Sequence, residues 1–244
     1  MKFENTEVWG FQHAIRGMRN SHESWEMSDS SFGAKVAGTG KSVRAKSIIR
    51  DFGDVYIEYA VIGENDLRLM QSLIKAGSEH RTFMRQIFVS VDVTASLFWW
   101  KKADQYKVDI VSDSCSTMHE LASTPITIDC FEVGEFRDCY MWSILVSQLE
   151  FMRQRYNKVL ENKKHLEEIK EFEEARKAQE MAEKCWSLLI RLLPESWLQK
   201  QTIAVSYENV LNMVRQRKDH KLAEWSEFVE WAHTLPYADE LLFL

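Results

Sequence analysis

Apolar residues recur along this chain with two different periods, which predict strands and helices at different places. Over residues 87–93 an apolar residue occupies every second position, a pattern typical of a strand with one buried face. Aromatic and β-branched residues crowd together in DVYIEYAVI, residues 54–62, and again in QTIAVSY, residues 201–207. Such residues favour the pleated backbone of a sheet. We therefore predict three strands at these positions.

Apolar residues three and four positions apart predict the helices. The predicted helices follow the turn at 63–66, cover 96–107, fill a long region of about 139–193 that ends before Pro194, and cover 207–217 and 222–235. Residues 1–50, which are rich in Ser and Gly and then become basic, are predicted to be mostly irregular. Only 9 Gly and 3 Pro interrupt the 244 residues. We predict a helix-dominant α+β fold with a small mixed or antiparallel sheet, as a single domain over 1–244.

The charge and composition of the chain exclude some classes of binding partner. The balance of 31 Lys and Arg against 37 Asp and Glu gives a formal net charge of −6, whereas proteins that grip long nucleic acid are basic. No apolar run approaches the roughly 20 residues that span a membrane, and the opening residues lack the features of a secretory signal. We expect a cytoplasmic protein that binds neither a membrane nor long nucleic acid. Its four cysteines follow no metal-ligand spacing, so we predict no metal site.

The most informative segment for chemistry is the strand and helix at 201–217. The helix carries two amides, Asn209 and Asn212, and two guanidinium groups, Arg215 and Arg217, within about two turns. This polar set lies opposite the apolar residues of the helix in our interpretation. Arginine offers donors in a fixed plane and keeps its charge, so the set could bind a planar, anionic ligand such as a nucleotide. An equally weighted alternative is that these are surface residues at a helix end.

The same segment resembles the flavin-dependent thymidylate synthases. Chains of that family close with Leu-Pro, a strand ending in Thr-x-Asn, a helix with Ser-Leu-x-His/Asn-Phe-Leu-x-Leu-Arg, and a final helix that opens with Ala-Gln-x-Glu-Ile. Here Leu193-Pro194 matches the first element, Asn209 takes the Ser position, Asn212 matches His/Asn, and Arg217 matches the terminal Arg. The resemblance implies that Arg217 is catalytic, because the family's Arg lies against the uracil ring of dUMP and polarises it. It also implies that Asn209, Asn212 and Arg215 bind the nucleotide.

The resemblance extends upstream, where one motif is altered. Glu79-His80 is similar to the family's Glu-His, but the signature R-H-R-x-x-S-x-N-E-x-S-x-R is absent. One register places Lys102-Ala103-Asp104 over R-H-R, and another places Ser116 over the phosphate-binding Ser. In the family's Thr-x-Asn-x-Arg, Ser206 replaces Asn and Glu208 replaces Arg. Candidate cofactor-binding residues are therefore His80, Lys102 and Lys107, and the candidate phosphate ligand is Ser116.

These matches imply a divergent thymidylate synthase-like methyltransferase of pyrimidine metabolism. By resemblance it binds a pyrimidine nucleotide similar to dUMP, FAD, and with them a folate and NADPH, and it transfers a one-carbon unit or hydride to the base. The family is tetrameric, so the resemblance also implies a homo-oligomer. The alternative is a catalytically inactive homologue that acts as a nucleotide-binding or protein-interaction module, because the missing R-H-R motif removes the family's usual flavin ligands.

Overall fold

The computed structural model describes residues 1–21, 23–36, 47–48, 56–106, 110–115 and 121–244. Contacts between Cα atoms divide the chain into two compact units. The first unit is built from three separate segments, Met1–Val93, Lys102–Asp113 and Gln201–Leu244. The second unit consists of Thr94–Lys101 and Ser114–Lys200. The prediction of one domain over the whole chain stays a prediction.

A four-stranded sheet contains the predicted strands at 87–93 and 201–207. Its strands are β1 (Lys2–Trp9), β5 (Phe88–Ser96), β6 (Val111–Ser114) and β7 (Leu198–Ser206), and their order is β1-β5-β7-β6. In β5 the side chains of Val89, Val91 and Val93 are fully buried. The alternating pattern therefore predicted the buried face of this strand correctly.

The third predicted strand belongs to a separate sheet of β2 (Ser31–Val36), β3 (Ser47–Ile48) and β4 (Tyr56–Val61), in the order β2-β4-β3. Strands β2 and β4 are antiparallel, with Ser31 opposite Val61 and Val36 opposite Tyr56. Strand β3 also pairs antiparallel with β4. The central strand of this sheet thus lies within the predicted range 54–62.

The structure departs from the prediction of mostly irregular structure over residues 1–50, since β2 and β3 lie there and the first 20 residues are regular. It forms β1 and a helix, α1 (Phe11–Asn20). Only Val8 is buried in β1, because β1 is at the edge of its sheet, so its sequence carries little apolar alternation. Helix α1 begins after Gly10, whose φ of 100° suits glycine and whose Cα approaches Gln86 so closely that a Cβ would meet the Gln86 carbonyl oxygen.

A buried ion pair connects α1 with α2 (Glu64–Ala76). Arg19 Nε donates to Asp66 at 2.6 Å, and the other Asp66 oxygen accepts hydrogen bonds from Ser28 and Ser30. Burial raises the pKa of Asp66, but the hydrogen bonds from Ser30, Ser28 and Arg19 outweigh burial and lower the pKa overall. The Asp66 carboxylate therefore holds Ser28 and Ser30, which lie in the serine-rich segment that we predicted as loop, against α2.

The second unit is organised by two long helices, where we predicted one helical region. Helix α4 (Tyr140–Glu168) and helix α5 (Phe172–Leu192) are separated by a short turn in which Lys170 has a φ of 64°. Helical structure ends two residues before Pro194, as expected from the missing N–H of proline. The buried core of this unit consists of Leu121, Ile126, Phe131, Leu149, Leu189 and Trp197.

Helix α4 holds the preceding segment through Glu150. The Glu150 carboxylate accepts hydrogen bonds from Arg153 at 2.7 and 2.8 Å, from the Ile126 N–H at 2.7 Å and from Gln154 at 2.8 Å. The Arg153 bonds lower the pKa most, burial opposes them, and the Ile126 and Gln154 bonds lower it further, to about 2. Arg153 in turn donates to the Ala122 carbonyl at 3.2 Å. This carboxylate therefore stabilises the fold only while it is ionised.

The acid sensitivity of the fold should depend on Glu150. Because its folded pKa of about 2 lies below the ordinary 4.5, the stabilisation is complete above pH 4.5 and is lost as the pH falls towards 2. Glu150→Gln should lower the free energy of unfolding at pH 7 by roughly 2 kcal/mol and make it depend less on pH between these values. Urea unfolding at a series of pH values measures this. Glu161→Gln, at an exposed position of the same helix, is the matched control, and equal pH dependence in both variants would contradict the assignment.

The C-terminal region has the two predicted helices and one more. They are α6 (Tyr207–Arg217), α7 (Ala223–His233) and the single turn α8 (Ala238–Leu241), after α3 (Leu97–Ala103) earlier in the chain. Both β7 and α6 were therefore predicted close to their observed bounds. In the part of the chain that the structure describes, no helix is long and apolar enough to cross a membrane.

Candidate functional site

Helix α6 carries most of the predicted site residues, and its first turn is fixed firmly. Ser206 caps the helix by accepting a hydrogen bond from the Asn209 N–H at 3.3 Å. The Tyr207 hydroxyl donates to the Pro236 carbonyl at 2.7 Å, and burial raises the pKa of Tyr207 well above its usual value. Ser206, which replaces a family Asn in the resemblance, therefore has a local structural role.

A buried ion pair lies beside this turn. Arg81 Nε donates to both oxygens of Glu208, at 2.8 and 3.1 Å, and an Arg81 η-nitrogen donates to Asn212 Oδ1 at 3.1 Å. Arg81 is 8% exposed and Glu208 5% exposed. We call these three residues the Arg81 group. Because Asn212 Oδ1 accepts from Arg81, the remaining polar atom of the Asn212 amide, Nδ2, is a donor only.

Arg217, the predicted catalytic residue, is held by aromatic side chains. Its Nε donates to the Tyr106 hydroxyl at 2.8 Å, and its Cζ lies 4.9 Å from the centre of the Trp225 ring and 5.5 Å from that of Tyr106. One η-nitrogen donates to Gln105 at 3.3 Å. The Tyr106 hydroxyl donates onward to Gln216 at 3.0 Å. We call Tyr106, Gln216, Arg217 and Trp225 the Arg217 group.

The Arg81 group and the Arg217 group contact different stripes of α6. Glu208 and Asn212 are four residues apart, so they share a stripe. Arg217 is seven residues after Val210 and three after Val214, both of which are buried. Arg217 therefore shares a stripe with apolar residues, and its Cζ lies over the Trp225 ring, 4.9 Å from the ring centre. Our interpretation that Asn212 and Arg217 form one polar face opposite the apolar residues is wrong in this respect.

The other predicted site residues have diverse environments. Asn209 is buried, Arg215 is exposed, and His80 is exposed in the turn that precedes Arg81. Lys102 is half-buried near the end of α3. Ser116 and Lys107 lie outside the described residues. Among the predicted ligands that the structure describes, Asn212 and Arg217 therefore belong to different groups of contacts.

The sequence did not predict several members of these groups as site residues, among them Arg81, Tyr106, Gln216 and Trp225. Arg81 is adjacent to His80, and both were visible as cations after α2, but only the contact with Glu208 distinguishes the buried one. Tyr106 and Trp225 belong to segments that we predicted as helical, and nothing in their spacing connects them with Arg217. The signal that could have found them is chemical, since a half-buried guanidinium commonly stacks on aromatic rings.

One cavity of the first unit has a volume of about 240 Å³ and is lined by residues outside the Arg81 and Arg217 groups. Phe11, Tyr237, His233 and Asp239 are among them, and His233 Nδ1 is 2.8 Å from the Asp239 carboxylate. The Tyr237 hydroxyl accepts from the Ile62 N–H and donates to the Ala60 carbonyl, so it closes the end of β4. Among the described residues, no group of three or more His, Cys, Asp or Glu side chains is arranged to hold a metal ion.

Comparison with known proteins gives a likeness of fold. No protein-family model matches the chain, and no curated protein sequence matches it. A crystal structure of the flavin-dependent thymidylate synthase ThyX from Helicobacter pylori, complexed with FAD and dUMP, is similar over 100% of this chain and 98% of that chain, with a TM-score of 0.63 and 13% identity. A second structure of ThyX from the same organism, with FAD and dUMP, covers 100% and 97%, with a TM-score of 0.60 and 14% identity. The chain has a ThyX-like fold, and the predicted helix-dominant α+β class is confirmed.

Proposed function

We propose that this protein is a divergent flavin-dependent thymidylate synthase-like protein that binds a pyrimidine nucleotide similar to dUMP. The observation that carries the proposal is the arrangement of Arg217. It occupies the helix position that matches the family's base-binding Arg. Within the described part of the chain, two of its five N–H groups are used, by Tyr106 and Gln105. The remaining donors could bind a carbonyl oxygen of the base. The ThyX-like fold over the whole chain supports this assignment.

In this proposal the guanidinium of Arg217 stabilises negative charge that develops on a base carbonyl as C5 becomes nucleophilic. Stacking on Trp225 keeps the guanidinium plane fixed, so little reorganisation is needed when charge develops. Asn212 offers only donors, as Arg217 does, so both suit the carbonyl oxygens of a uracil ring. Asn209, Arg215 and Ser116 are proposed as the other nucleotide ligands.

The charges near α6 are compatible with FAD. Glu208 replaces an Arg of the family, and a free carboxylate would repel a phosphate. Here, however, Arg81 pairs with Glu208 directly, so the charge is neutralised within the fold. His80, Lys102 and Lys107 would hold the cofactor, and FAD would supply hydride transfer when bound. A folate and NADPH would supply the one-carbon unit and the reducing equivalents.

The ligand test is direct. Addition of FAD to purified protein should give a protein-bound flavin spectrum after gel filtration, and dUMP at 100 times its Kd should stabilise the fold by about 2.7 kcal/mol. For a chain of this length that corresponds to a rise in Tm of roughly 5–10 °C. 2-Deoxyribose 5-phosphate, which lacks the base, is the control and should stabilise less. Absence of the dUMP shift would overturn the proposal.

One observation favours a second candidate, an inactive homologue that binds a nucleotide but no flavin. The Arg81–Glu208 pair occupies the α6 position where the family has a free Arg, which leaves one cation fewer for a cofactor phosphate. The same experiment separates the two candidates, since this one requires a dUMP shift without a flavin spectrum.

The proposal includes self-association, which the resemblance implies. Helix α4 exposes Tyr140, Ile144 and Phe151, which are 50–70% exposed and lie on one side of the helix. Large apolar side chains exposed together on one side of a helix are typical of protein interfaces. Sedimentation of the purified protein measures the number of chains, and a single-chain species at all concentrations would contradict self-association.

A further inference from the structure

The Arg217 group contains a chain of hydrogen bonds with a fixed direction. Tyr106 has one hydroxyl hydrogen, and it is donated to Gln216 Oε1 at 3.0 Å. The Tyr106 oxygen is therefore free to accept, and it accepts from Arg217 Nε at 2.8 Å. Because Nε is the only nitrogen on the side-chain stem, a bond there fixes the rotation of the whole guanidinium plane. The two η-nitrogens then point in one defined direction.

Aromatic packing fixes the same plane from its face. The Trp225 ring, which is fully buried, lies 4.9 Å from Arg217 Cζ, and the Tyr106 ring lies 6.2 Å from the Trp225 ring at 67°. A ring that cannot move makes a firm platform for a cation. Trp225 is held in turn by Phe228, 5.7 Å away. The guanidinium is thus restrained both at its edge and on its face.

These restraints leave hydrogen-bond donors of Arg217 available to a ligand. Among the residues that the structure describes, Tyr106 and Gln105 are the only acceptors for Arg217, and neither contacts the second η-nitrogen. Gln105 is exposed, so a ligand can displace it at little cost. Arg217 is half-buried, and a hydrogen bond from its charged guanidinium is stronger in such a site than in water.

We infer that Tyr106 is a positioning residue, which orients Arg217 towards the base of the nucleotide. This inference rests on the proposed function, since it concerns the same ligand. Tyr106 does not touch the ligand in this scheme; it acts through Arg217, and Trp225 supports the same geometry. The base that fits must offer an acceptor atom to the η-nitrogens, as the carbonyl groups of a uracil do.

The first experiment needs no ligand. Tyr106→Phe removes the accepting oxygen and keeps the ring, so stacking should persist while the Nε–H bond is lost. In ¹H–¹⁵N spectra of the wild-type protein, the Arg217 Nε–H signal, assigned with Arg217→Lys, should exchange slowly with water. In Tyr106→Phe it should exchange at least tenfold faster. Equal exchange in the two proteins would overturn the inference whatever the protein binds.

The second experiment measures binding by calorimetry. Tyr106→Phe should weaken dUMP binding about tenfold and leave the affinity for 2-deoxyribose 5-phosphate unchanged, because only the base is addressed by Arg217. A general loss of structure would weaken both ligands. Tyr156→Phe, on α4 of the second unit where the ring lies 5.0 Å from that of Trp186, is the control and should bind as the wild type does.

The outcomes separate the two proposals. If the wild type binds dUMP and Tyr106→Phe binds it equally well, the positioning role is overturned while the proposed function stands. If the wild type does not bind dUMP, the proposed function is overturned, and the assignment of a base to Arg217 falls with it. Both proposals are supported if Tyr106→Phe binds dUMP tenfold more weakly, binds 2-deoxyribose 5-phosphate as before, and exchanges the Arg217 Nε–H faster.

Discussion

Arg217→Ala is expected to weaken dUMP binding about 100-fold, which corresponds to roughly 3 kcal/mol. The reason is that the variant removes a half-buried cation whose plane is already fixed by Tyr106 and Trp225. A side chain held in this way loses little conformational freedom on binding, so more of its interaction energy appears as affinity. Calorimetric titration with dUMP measures the effect.

Two further variants make this result specific. Arg217→Lys keeps a positive charge but loses the planar fork and the Nε donor, so it should recover only a small part of the affinity. Arg191→Ala removes an exposed arginine from α5 and should bind dUMP as the wild type does. If Arg217→Ala and Arg191→Ala bind equally well, Arg217 has no part in nucleotide recognition.

Glu208→Ala is expected to lower the free energy of unfolding by about 3–5 kcal/mol, because it leaves Arg81 charged, buried and without its carboxylate. The loss should appear in urea unfolding followed by circular dichroism. Glu230→Ala, at an exposed position of α7, is the matched control and should change the free energy by less than about 0.5 kcal/mol.

The double variant Arg81→Met/Glu208→Leu distinguishes the pair from its members. Removing both charges takes away the desolvation cost along with the attraction, so the double variant should be considerably more stable than Glu208→Ala. The single variants Arg81→Met and Glu208→Leu complete the comparison. If the loss of free energy of unfolding in the double variant equals the sum of the losses in these two, the residues do not form the buried pair described here.

The period of the apolar residues predicted those elements that bury one face of their own side chains. Strand β5 has one fully buried face, and Val89, Val91 and Val93 mark it at every second position. Helices α6 and α7 likewise carry apolar stripes. Strand β1 was not predicted because an edge strand buries few of its side chains. The pattern of apolar residues indicates which side chains are buried. It does not predict an element that is held mainly by backbone hydrogen bonds.

The candidate site was predicted only in part, for a different reason. The sequence identified Asn212 and Arg217, because they fall on one helix at positions that match a known motif. Their partners, Arg81 and Tyr106, are 131 and 111 residues away in the chain. Local spacing carries no information about such contacts. The resemblance places Glu208 where the family has an Arg, and the fold supplies the compensating charge, Arg81, from another segment.

The way the first unit is assembled from distant segments has a consequence for biosynthesis. Its Arg81 and Arg217 groups need Gln201–Leu244 together with Met1–Val93 and Lys102–Asp113. The second unit is nearly continuous, and its long helices depend on local contacts, which form quickly. During translation, Ser114–Lys200 can therefore acquire structure on the ribosome while the earlier N-terminal residues remain incomplete. Chaperones that shield nascent apolar surface would be needed most over that interval.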